Sequence, residues 1–86
     1  MAELTASDYQ QLIEFLERRI EVISDTEWRD RDQEGHLGAI IEASEAIGEW
    51  QTAHQEELPK RLEHFLENCS FEKALAWSKT QNERLS

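Results

Sequence analysis

LGAIIEASEAIGEWQTAHQEEL, residues 37–58, is the stretch whose reading decides the fold of this 86-residue chain. Placed on a helix at about 100° per residue, its apolar side chains, from Leu37, Ile40 and Ile41 through Ile47 and Trp50 to Leu58, cover roughly two-thirds of the circumference. Ala39, Ala43 and Ala46 recur at three- and four-residue spacing, a smooth face that a neighbouring helix can approach closely. The remaining strip carries Glu42, Glu45, Glu49, Thr52 and Glu56. This pattern predicts a helix wrapped by neighbours on two sides and wetted along one edge.

Upstream, Ser7 and Gln10 form a capping pattern ahead of Tyr9, Leu12, Ile13, Leu16, Ile20 and Ile23, apolar at steps of three and four. Phe15 and Val22 widen that face on one flank, which implies more than one contact. From Asp25 to Gly35 only Trp28 is apolar, so the run reads as a charged connection, with Trp28 folding back as a lid on the bundle. Downstream, Pro59 either separates two helices or kinks one, because it lacks the amide hydrogen that a helix interior needs. Leu62, Phe65, Leu66 and Cys69 then line one face, with Cys69 read as a buried structural thiol. Ser70 is placed to cap a last helix whose buried face is Phe71, Ala74, Leu75 and Ser78. The expected fold is all-α: a small antiparallel helical bundle in one domain, 1–86, two long helices followed by two short ones. Their expected spans are about 8–24, 36–57, 59–68 and 71–82, with a connection over 25–35.

Nineteen acidic against nine basic residues, a formal net charge of −10, oppose binding to a phosphate backbone, so no nucleic acid is expected. The opening MAELTASDY has neither the basic residue nor the apolar run of a signal peptide, and no window has the length of a membrane span. The single Cys cannot make an internal disulfide. A cytoplasmic protein with no membrane contact is the expectation.

The run Asp30, Asp32, Glu34, Gly35, Leu37 resembles the first half of an EF-hand calcium loop, in which alternating carboxylates supply ligands and a Gly permits the sharp turn. The resemblance implies a metal-responsive regulator using Asp30, Asp32, Glu34 and Glu42, although Ile41 stands where the bidentate Glu belongs and Glu42 one place beyond. His36 and His54, about 27 Å apart along one helix, cannot share a metal. Each is read as a ring hydrogen-bonded to a carboxylate or a carbonyl. No base, nucleophile and orienting group converge, so neither catalysis nor a cofactor is expected.

The preferred function is a non-catalytic acidic interaction module that self-associates. Its partner-binding residues are the strip Glu42, Glu45, Glu49 and Glu56, together with Trp77, which leaves the last helix's core face, and the Phe15/Val22 flank. A small inhibitor or immunity-type protein that blocks a basic site shares this acidic signature. The apolar arc of 37–58 is wider than the other helices of one chain can cover, and a homodimer would complete its burial.

Overall fold

The computed structural model describes residues 4–85, so Met1, Ala2 and Glu3, with which the leader-free N-terminal reading begins, lie outside the described residues. The described residues form five helices and no strand: α1 (Ala6–Ser24), α2 (Thr26–Arg31), α3 (Gln33–Ala53), α4 (Lys60–Glu67) and α5 (Phe71–Leu85). The all-α class stands.

Each helix start has a local cause. α1 is capped by Thr5 rather than by Ser7: the Thr5 hydroxyl accepts from the Asp8 amide at 3.2 Å and the Thr5 amide donates to the Asp8 carboxylate at 2.9 Å. That reciprocal box satisfies two amides that the first turn leaves without partners. The expected connection over 25–35 contains α2, because Asp25 caps it through the Trp28 amide. Asp32 then caps α3 through the Gly35 amide. A Cβ on Gly35 would run into that Asp32 carboxylate, so the glycine is there for close approach. α3 accordingly begins at Gln33, before the expected 36, and ends at Ala53, before the expected 57. Turns over 54–57 and extended backbone at Pro59 (φ −61°, ψ 140°) follow, so the proline separates two helices.

α4 ends in a Schellman motif. The Ser70 amide donates to the Phe65 carbonyl at 2.8 Å and the Cys69 amide to the Leu66 carbonyl at 3.2 Å, with Cys69 in the left-handed region at φ 56°. This turns the Cys69 side chain outward, so the residue read as a buried thiol is an exposed one. The last helix runs on to Leu85, past the expected 82, and is not short.

The hub is α1, not the helix over 37–58. α1 packs against both α5 and α3, whereas α3 packs on α1 and, at its start, on α2. The Trp50 indole donates to the Asp8 carbonyl at 3.1 Å and the His36 ring to the Val22 carbonyl at 2.6 Å, so α3 runs antiparallel to α1. Asn82 bonds Gln10 and Phe71 lies under Arg19, so α5 is antiparallel to α1 as well. α4 sends Leu62 and Leu66 into one core with Leu12 and Leu16 of α1, Ile47 and Trp50 of α3, and Ala74 of α5. Ser78 is also wholly buried, and its hydroxyl has no hydrogen-bond partner among the described residues.

Beyond Phe71 neither α4 nor α5 continues. The last turn of α1, with α2 and the first half of α3, projects as an arm from a molecule of 47 × 22 × 20 Å. The arm has only a thin interior: Val22, His36, Ala39 and Ala43 are buried, and Trp28, half-buried, sits edge-on to His36 at 5.8 Å and not on the main core.

Candidate docking surface

On the arm the helical repeat still places large apolar side chains on faces that the described residues leave exposed. Ile23 of α1 is 43% exposed, Leu37 of α3 57% and Ile41 of α3 48%, and Ile20 and Ile40 beside them are half-buried. Single exposed apolar residues are ordinary on protein surfaces, but a cluster of them at one end marks a contact face.

Two open hollows flank this cluster and share Ile23. The first, about 420 Å³, lies where α4 stops and is lined by Arg19, Ile20, Ile23, Cys69, Phe71 and Lys73, among others. The second, about 330 Å³, lies between α1, α2 and α3 and is lined by Ile23, Arg29, Gln33, His36, Leu37 and Ile40. Sharing Ile23, and with Ile20 and Ile40 in their walls, they make a groove with an isoleucine floor.

The charges around the groove are unlike those of the chain as a whole. Its rim carries Arg19, Arg29 and Lys73 against Glu72. The Arg19 guanidinium is held in place, donating to the Ser44 hydroxyl at 3.0 Å and lying 4.2 Å from the centre of the Phe71 ring. Along the outer edge of α3, by contrast, Glu34, Leu37, Ile41 and Glu45 follow one another at helical spacing and are all exposed. The edge is an apolar ridge with an acid at each end.

The partner-binding residues expected from the sequence do not come together. Glu42, Glu45 and Glu49 are exposed on α3, and Glu56 lies beyond its end, in the turns. Val22 is 3% exposed, in the interior of the arm, and is withdrawn as a surface residue. Phe15 and Trp77 are half-buried and pack against the core, Trp77 edge-on to Tyr9 at 5.8 Å. The flank assigned to a second subunit is therefore largely occupied by the chain's own helices. The groove residues themselves, Ile20, Ile23, Leu37 and Ile40, are expected from the sequence on the apolar faces of their helices. For Leu37 and Ile40 the signal that points to the groove is the width of the apolar arc over 37–58.

The acidic run is not a calcium loop. Asp30 lies within α2, Asp32 spends its carboxylate on the α3 cap, and Glu34 and Glu42 are two turns apart on α3. Among the described residues the ligand atoms that gather are instead those of Asp8, His54 and Glu57. His54 Nε2 is 3.9 Å from Asp8, His54 Nδ1 is 3.4 Å from Glu57, and the ring stacks on Trp50 at 4.7 Å. Because Asp8 also closes the α1 capping box, this cluster ties the start of α1 to the end of α3. His36, buried with its ring on the Val22 carbonyl, makes the corresponding tie at the other end.

No helix among the described residues is long and apolar enough to cross a membrane. Compared with protein-family models, with curated proteins and with solved structures, the chain matches none.

Proposed function

We propose that this chain is a non-catalytic protein–protein interaction module that works through the arm. The observation that carries this is the cluster of Ile23, Leu37 and Ile41, 43%, 57% and 48% exposed, beside a groove left open where α4 ends. A small helical domain that leaves three large aliphatic residues half in water at one end gains by burying them against a partner, at about 25 cal/mol per Å² of apolar surface removed. Charge at the groove, where Arg19, Arg29 and Lys73 are among the lining residues, sets the orientation of docking more than the affinity.

The reading is non-catalytic because the set of titratable side chains that gathers among the described residues, Asp8, His54 and Glu57, has structural work in helix capping and stacking. The protein works in the cytoplasm and without a cofactor on this reading, and it makes no contact with nucleic acid, in keeping with its net charge of −10.

The test is a tagged capture from cells of the source organism, with wild type beside Ile41→Asp. At least one protein, a differently tagged copy of the chain included, should be retained by wild type and lost from a variant whose circular dichroism is unchanged. Equal recovery with both baits contradicts the reading.

A further inference from the structure

The arm presents two features side by side that match each other. One is a groove with an apolar floor of Ile20 and Ile23 and a rim carrying Arg19, Arg29 and Lys73. The other is a ridge, Glu34, Leu37, Ile41 and Glu45, apolar in the middle and acidic at both ends. Resting on the docking role just proposed for the arm, we infer that the occupant of the groove is a second copy of this chain. The ridge of each copy lies in the groove of the other about a two-fold axis near Ile23.

Three considerations select a second copy over another partner. An isologous interface needs one patch to carry both halves of its own complement, and the arm does so in shape and in charge. The two-fold arrangement sets the arms antiparallel, so the tip of one lies at the base of the other. Glu45, at the base, then faces the partner's Arg29, at the tip, and Glu34 faces the partner's Lys73. None of these four side chains is in an ion pair within its own chain among the described residues, so docking breaks none. Finally, two arms laid face to face cover Ile23, Leu37 and Ile41, the large apolar side chains that one chain leaves exposed. The contact is small, so a dissociation constant in the micromolar range is expected.

The test is sedimentation equilibrium from low- to high-micromolar concentration on wild type, Glu45→Arg, Arg29→Glu and the double variant. Wild type is expected to approach about twice the 10.1 kDa of one chain. Each single variant replaces an attraction by a repulsion at two symmetric places, and should weaken association roughly tenfold. The double variant should recover most of that loss, a pattern that general acidity or local unfolding does not produce. Ile41→Asp, with unchanged circular dichroism, should be monomeric throughout. A wild type that stays monomeric overturns the inference, as does a double variant no better than the singles. If capture still yields a different protein that Ile41→Asp loses, the docking role stands and only the choice of occupant falls.

Discussion

At the C-terminus of α4, Cys69 is in the left-handed region at φ 56°, the C′ position of a Schellman motif where glycine is the usual residue. A Cβ in this region costs roughly 1 kcal/mol, partly offset by the extra freedom that a glycine has in the unfolded chain. Cys69→Gly should therefore raise the stability by about 0.5–1 kcal/mol in urea unfolding, while Cys69→Ala, which keeps the Cβ, should show no such gain. Equal effects of the two would contradict the motif. Residues of this kind were the least legible in the sequence. Spacing put Cys69 on the face of Leu62 and Leu66, and what moves it outward is a single backbone angle after the helix has ended. Spacing likewise left Trp77 off the core face, yet the Tyr9 ring offers it an edge-on contact at 5.8 Å. Val22 looked like a flank because the sequence does not say on which side of α1 the third helix lies.

At the scale of the elements, the starts of α1, α2 and α3 follow from side chains that cap them. Thr5 and Asp8 hold the first turn of the helix on which α3 and α5 both pack, so a loss there is felt by the whole core. Thr5→Ala should cost about 1 kcal/mol of unfolding free energy, and Ser7→Ala, at the residue first read as the cap, much less. A larger loss at Ser7 would show that the cap is elsewhere. The existence of four of the helices was legible, since periodic apolar residues over 8–24 and 37–53 have no other arrangement that buries them. α2 was not, because TEWRDR has too few apolar residues for a period and owes its turns to Asp25 at one end and Asp32 at the next. The same caps explain why the acidic run is no cation loop: Asp30, Glu34 and Glu42 are on helices, and Asp32 between them accepts from the Gly35 amide.

For the whole molecule, the difference from the expected architecture lies in which helix is central. The stretch 37–58 is the most apolar, but α1 is contacted on both sides, by α3 and by α5, and the second half of α3 shares its core with α4. The first half of α3 packs on α1 and the short α2, which leave Leu37 and Ile41 exposed, and this apolar surface is part of the arm. The site was thus legible as a quantity of uncovered surface and not as a place. Its position depends on where α4 and α5 stop, which is a property of the packed chain. The most direct test of the arm as a contact face between two copies of the chain is a dilution series of amide NMR spectra. The account predicts concentration-dependent shifts grouped at Ile20 to Ser24, Arg29, Leu37 to Glu45 and Cys69 to Lys73, with Trp77 and Asn82 unmoved. Shifts centred on Trp77 and the Phe15 flank, or none at any concentration, would contradict it.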